Sequence, residues 1–255
     1  SINIDRYITF LAMFEIIIYS LISNLMFYSY GHFFKYEKYT NKFNNINDRA
    51  ILGCIILSFI ALILNFFFPL NKEINTIILI IGIIVFFFKR NKNFKKKEIY
   101  FLIFSSIVTS ILIIYSNVYR PDAGLYHLPY IGILNSEKII LGLSNLHFRY
   151  AHTSILQYFS AASNNIIFGE NGIVFAQALI AGGVIINFLS LINRFLKKKE
   201  FGLHFYFIFF VLIFIFYKMN RYSEYGNDAP AHFLYFFLIS ELIIILRKKN
   251  KKLIN

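Results

Sequence analysis

Acidic residues are scarce in this sequence of 255 residues, 13 against 26 basic ones. There is one cysteine, Cys54, so no internal disulfide framework can form, and nothing about redox compartment follows from it. Tryptophan is absent and there are four prolines. Charged residues make up 15%, whereas ordinary soluble domains carry about 25%. That shortage, with 58% hydrophobic residues and 32 phenylalanines, excludes a soluble globular domain. It excludes disorder as well, which needs low hydrophobicity. No repeat of solenoid period is present. No cleavable signal peptide is recognisable, because the first apolar run is too long and lacks a small-residue cleavage site.

The formal charge of +13 raises nucleic acid as a partner. The placement of the charge excludes it: basic residues form short clusters between apolar runs of bilayer length. That pattern belongs to a polytopic membrane protein. A helix needs about 20 apolar residues to cross the hydrocarbon core. Candidate spans lie at 7–28, 50–68, 74–88, 99–117, 172–193, 201–218 and 230–246. The third is short, but Lys89 and Arg90 can snorkel at its end. Segment 153–168 is weaker because it carries Gln157, Asn164 and Asn165.

Sidedness follows from lysine and arginine in the loops. Segments 29–49, 89–98, 194–200 and 247–252 hold 19 of the 26 basic residues, so all four are read as cytoplasmic. This works only if 153–168 does not cross. The expected fold is therefore an all-α transmembrane bundle of about seven spans. Amphipathic interfacial helices lie between spans four and five, within an external segment 119–170. The N-terminus is expected outside and the C-terminus in the cytoplasm. Two polar stretches, 119–152 and 219–230, then share the external face, each with a prominent aspartate.

In PDAGLYHLPYI, Asp122 stands before a helix in which Leu125, Leu128, Ile131 and Leu134 form one face, with Tyr126, Tyr130 and Asn135 elsewhere. Asp122 is either an N-cap or a functional acid. GLSNLHFRYAH crowds His147, Arg149, Tyr150 and His152 near the bilayer surface. Arg149 suits either a bidentate phosphate contact or a lipid headgroup. In RYSEYGNDAPAH, Gly226 and Asn227 favour a tight turn, and Asp228 is again either a cap or an acid at the head of a helix. His127, His147, His152 and His232 all fall on the external side, but no pair has zinc-motif spacing, so no metal site is expected. Glu15 and Glu241 fall within spans, each without a basic partner in its own span, which gives little basis for a proton relay.

The order of these features resembles the GT-C superfamily of membrane glycosyltransferases. The nearest members are the protein O-mannosyltransferases and the aminoarabinose transferase of lipid A. RYAHTSILQYFSAASNNIIFG at 149–169 looks like their second surface helix, which runs from a basic residue to an FG pair. NDAPAHFLYFFL resembles their Asp-Ala-Pro start of the next span. The wording DAGLYHLPYI, GLSNLHFRY and EYGNDAPAH is also similar to a group of large bacterial membrane proteins near that superfamily. The resemblance covers roughly 99–246 and divides the chain into N-terminal transmembrane helices, 1–98, and a GT-C-like core, 99–255. About four of the superfamily's seven or more core spans have a counterpart here. The expectation is an N-terminal fragment or a reduced relative.

The resemblance implies a sugar on a polyprenyl phosphate or diphosphate as donor, and a hydroxyl on a glycan, lipid or protein as acceptor. Asp122 matches the family's catalytic acid and would act as general base on that hydroxyl. Asp228 matches the second acidic position. Arg149, and then Lys218 or Arg221, would balance phosphate charge. His127, His147 and Glu224 complete the candidate binding set. Some members of the family need a divalent cation and others do not, so no cofactor is expected. The implied location is a bacterial inner membrane, with membrane lipids as neighbours. Two other classes compete. A flippase or transporter of lipid-linked oligosaccharide requires polar residues along the spans. A non-catalytic membrane subunit would tolerate asparagine at both aspartates.

Overall fold

A computed structural model describes residues 2–31, 46–89, 96–115, 121–151, 154–218 and 225–254. Among these residues the fold is all-helical, with no strand. The helices are α1 (Ile2–Gly31), α2 (Ile46–Phe67), α3 (Lys72–Lys89), α4 (Lys96–Tyr115), α5 (Leu128–Ser136), α6 (Ile155–Ser163), α7 (Asn171–Lys198), α8 (Leu203–Tyr217) and α9 (Asp228–Ile254). A π-helical turn, Ala123–His127, precedes α5, and two 3-10 turns, Leu143–Asn145 and Phe148–Ala151, separate α5 from α6.

Each of the seven apolar runs in the sequence is a helix. Among the described residues, four stretches are long and apolar enough to cross a membrane: Met13–Gly31, Arg49–Phe67, Asn171–Lys198 and Asp228–Arg247. The apolar parts of α4 and α8, Ile99–Tyr115 and Leu203–Tyr217, are shorter. α7 is the axis of the bundle. It packs on α1, α2, α4, α6, α8 and α9, and its apolar window is 83% buried, against 22% for α9 at the edge.

Small residues set how closely the helices approach. A side chain at Gly182 on α7 would strike the Thr109 hydroxyl and the Ser105 carbonyl of α4. One at Gly53 on α2 would strike the Phe27 carbonyl of α1. Polar groups inside the bundle are tied across helices: Asn24 of α1 donates to Ser105 and Ser106 of α4, and His204 of α8 pairs with Ser240 of α9 at 2.8 Å. Near His204, Arg247 lies 3.7 Å from Glu200. This places 200–204 and 240–247 at one end of the α8–α9 pair, opposite the turn that leads into Asp228.

Segment 153–168 does not form one long helix. α6 has nine residues, about 14 Å, less than half of a hydrocarbon core. The polar residues that weaken it as a span terminate it. Ser154 Oγ accepts from Leu156 N and Gln157 Oε1 accepts from Ser154 N, a capping box at its start. At its end Asn165 Oδ1 accepts from Ile167 N and Phe168 N, and Gly169 turns the chain with φ +55°. Residues 156–163 are all buried, and α6 packs on α2, α3, α5 and α7. Protein therefore covers this helix.

An asparagine knot joins the α2–α3 turn to α5 and α6. Asn75 Nδ2 donates to the carbonyls of Leu70, Ala161 and Asn164, at 2.7, 2.9 and 2.7 Å. Asn135 Nδ2 shares two of those acceptors, and Asn164 Nδ2 donates to Asn135 Oδ1 at 2.9 Å. Asn65 Nδ2 reaches the carbonyls of Leu134 and Glu137. The backbone acceptors lie where a helix ends or a turn begins, and two of them, Leu134 and Ala161, also accept a backbone N–H.

Candidate functional site

Asp122 is exposed, its backbone is already helical (φ −65°, ψ −26°), and its side chain makes no capping hydrogen bond. Of the two readings open in the sequence, the N-cap is the one the structure does not support. The chain then enters the π turn, where Leu128 N donates to the Ala123 carbonyl five residues back. Such turns occur often at functional sites because they redirect side chains within a helix. The expected apolar face is only partly correct. Ile131 and Leu134 are buried, but Leu125 is exposed and Tyr130 is in the core. The buried stripe runs Ala123, His127, Tyr130, Ile131, Leu134, which is helical spacing counted from Ala123.

Apart from His127, that stripe belongs to a compact core with Leu70, Leu143, Tyr158, Ala162, Ile173 and Tyr225. Tyr225 connects the two polar loops, since it carries the start of α9 into the core built by residues 123–162. Asp228 is the first residue of α9 and is exposed. The preceding Asn227 is buried, and its Oδ1 has no partner among the described residues.

His127 is the centre of this arrangement. It is buried, and its Nδ1 has no hydrogen-bond partner among the described residues. Burial holds its pKa below the usual value. The charges of Asp228 and then Asp122 oppose that effect, and Arg149 reinforces it. Three charged residues from three separate segments thus act on one imidazole. Tyr126 packs on the His127 ring at 4.1 Å between centroids. Arg149 lies 5.1 Å from the centre of the Tyr126 ring and 5.3 Å from that of Phe148. Both distances fit a cation–π contact. Arg149 is exposed and makes no ion pair with a carboxylate among the described residues. Its guanidinium edge is free for an anion.

His147 is half-buried beside this group. Its Nδ1 accepts from Arg149 N at 3.2 Å, and its ring lies 5.2 Å from that of Tyr150. Tyr150 continues to Tyr130 at 5.5 Å. The Tyr130 hydroxyl is held above its usual pKa by burial first, then by the charge of Tyr158 and a hydrogen bond with it. Lys218 sits over Tyr217 at the start of the second loop. Arg221 and Glu224, and with them Arg120 and His152, lie outside the described residues. The sequence reading missed Tyr126, Tyr130, Tyr158 and Tyr225 as the scaffold. The available signal was the density of tyrosine around each aspartate.

The fold is thus a helical bundle with four helices able to span a membrane, and its candidate site lies at one end of the bundle, the build of an integral membrane protein. Residues 13–255 match the family described as a domain of unknown function, DUF8201, and the chain belongs to that family. No curated protein and no solved structure matches it.

Proposed function

We propose that this chain is an integral membrane glycosyltransferase of GT-C type. It moves a sugar from a polyprenyl-phosphate donor to an acceptor hydroxyl on the external face. The observation that carries this reading is the meeting of the two polar loops at one core: Arg149 lies over Tyr126, which packs on His127, and Tyr225, three residues before Asp228, shares a core with Ala123 and Tyr130. An exposed acid that caps nothing fits a general base, and an exposed arginine held over Tyr126 fits a phosphate contact. Asp122 takes the acceptor proton as the hydroxyl oxygen bonds to the anomeric carbon. The bond to the phosphate oxygen breaks, and the phosphate leaves with its electron pair. Arg149 balances that charge. Asp228 orients the acceptor or keeps the field at Asp122 negative. Neutral His127 supports the site without adding positive charge beside the base.

In this reading all seven apolar helices cross the bilayer, the polar end faces outward, and the C-terminal basic cluster is cytoplasmic in a bacterial inner membrane. The test uses membranes holding the protein, supplied with radiolabelled polyprenyl-phosphate sugars. Label transfer by the wild type, lost in Asp122→Asn with insertion unchanged, is the expected result. Equal transfer by both removes Asp122 from the chemistry, and no transfer from any donor overturns the reading.

A further inference from the structure

The helices between α4 and α7 leave little apolar surface for lipid. α6 is enclosed, and α5 turns Tyr130, Ile131 and Leu134 inward. Exposed apolar side chains lie instead in the connections, at Leu125 before α5, at Ile166 and Ile167 after α6, and most densely on the short lip between α5 and α6. Leu141 is 89% exposed, Leu146 79% and Phe148 67%, values that a water-facing turn rarely carries together. The lip is a defined turn: Asn145 N donates to the Gly142 carbonyl and Leu146 N to the Leu143 carbonyl, while Leu143 itself anchors in the core.

Its level relative to a bilayer is set by α2. Ile139 N donates to the Asn65 carbonyl at 3.0 Å, and Asn65 Nδ2 donates to the Glu137 carbonyl at 3.0 Å. The start of the lip is therefore tied to the end of a helix whose membrane-length apolar stretch closes at Phe67. Phe66, Phe67 and Phe68 are exposed there too, so the lip extends an apolar surface already at the edge of a span. Charge agrees with that level. Lys138 and Arg149 bracket the lip, and no acid lies between them. Basic residues at a membrane edge meet anionic headgroups while apolar neighbours enter the acyl region.

We infer that the lip Ile140–Phe148 is a lipid-inserting wedge, with Leu141, Leu146 and Phe148 in the acyl boundary of one leaflet and Arg149 at the level of the lipid phosphates. The inference rests on α2 crossing a membrane and not on glycosyl transfer. It makes Arg149 reachable from the bilayer as well as from water.

The absence of tryptophan makes the test direct. Single reporters, Leu141→Trp, Leu146→Trp and, inside α2, Ile63→Trp, are placed in the full chain and reconstituted in vesicles of zwitterionic and anionic phospholipid. Lipids brominated at different acyl depths serve as quenchers. The substituted side chains are exposed, so the changes disturb little packing. Insertion of about 5–10 Å is typical of an interfacial element. The expected result is blue-shifted emission from both lip reporters, quenched most by the shallowest bromines, with deeper quenching at position 63. Unquenched, water-like emission at 141 and 146 with quenching kept at 63 overturns the wedge and leaves the lip as a surface for a protein partner. Loss of quenching at all three overturns the membrane placement of α2 and the wedge with it.

Discussion

The guanidinium of Arg149 lies over the ring of Tyr126, 5.1 Å from its centroid. This contact joins a 3-10 turn to a π turn and holds a positive charge one residue from the buried His127. A cation–π contact contributes about 0.5–2 kcal/mol, enough to fix the side chain while leaving its edge available. Arg149→Lys keeps the charge but loses the planar fork. Binding of polyprenyl phosphate to Arg149→Lys should weaken by about tenfold, and to Arg149→Ala by more. Equilibrium binding in detergent micelles measures both, and unchanged affinity in the alanine variant removes Arg149 from the phosphate contact.

The two polar loops can be tested for proximity without any assay of activity. Asp228 is the largest charge acting to raise the His127 pKa, followed by Asp122, while Arg149 lowers it. Asp228→Asn should therefore move the His127 titration further down. Asp122→Asn should do so less, and Arg149→Gln should move it up. Ring-nitrogen NMR of histidine-labelled protein reads these shifts, with His127→Gln identifying the resonance. No response to Asp228→Asn would separate the second loop from the first.

The same histidine gives the polar end a pH dependence. Burial holds His127 below its usual pKa of 6.5, so as pH falls the unfolded chain takes up the proton first. A depressed pKa of this kind leaves stability complete above about 6.5 and lost progressively as pH falls through that value toward the folded pKa. Thermal unfolding in micelles should show less stability at about pH 5.5 than at about pH 7.5, and His127→Phe should reduce the difference. An equal difference in both proteins would assign it to other groups.

Packing between α4 and α7 predicts opposite results at adjacent glycines. A Cβ at Gly182 meets Thr109 and the Ser105 backbone, whereas one at Gly183 meets nothing within 4 Å. Gly182→Ala should destabilise the protein by about 1–3 kcal/mol, as overpacking does. Gly183→Ala should be neutral or stabilise by up to about 1 kcal/mol through helix propensity. Denaturant titration in mixed micelles distinguishes them, and equal costs at the two positions would contradict the α4–α7 approach.

Asn75→Leu should be more damaging than its conservative size suggests. It removes the side-chain donor of the buried Asn164 carbonyl, while the carbonyls of Leu70 and Ala161 keep Asn135 Nδ2. An orphaned carbonyl costs about 1–3 kcal/mol. The exposed Asn145 is the control, and its replacement by alanine should leave proteolysis of the 121–170 segment unchanged. Equal protease resistance of Asn75→Leu and wild type would reduce the knot to a surface contact.

Much of the helical plan was legible in the residues. Seven apolar runs became seven helices, since a helix satisfies its backbone hydrogen bonds within its own segment. Gln157, Asn164 and Asn165 already weakened 153–168 as a candidate span, and in the structure Gln157 caps the nine-residue α6 while Asn165 holds the turn after it. Asp122, Arg149, His127 and Asp228 were each identifiable as unusual, since acids and bases beside apolar runs are uncommon.

Their meeting was not legible. Periodicity assigns residues to a face of their own helix and carries no information about which helices touch. It placed Leu125 on the buried face and Tyr130 off it, because the π turn and the contact with Tyr158 are decided by neighbours. That Asp122 caps nothing, that Tyr225 ties the start of α9 to the core of α5 and α6, and that α6 is covered by protein all depend on tertiary packing, with α2, α3, α5 and α7 set around α6. Composition and spacing determined that this chain forms apolar helices with a polar end. Only the tertiary packing decided which charges share that end, because segments about 100 residues apart are related by the cores they bury and not by their order in the chain.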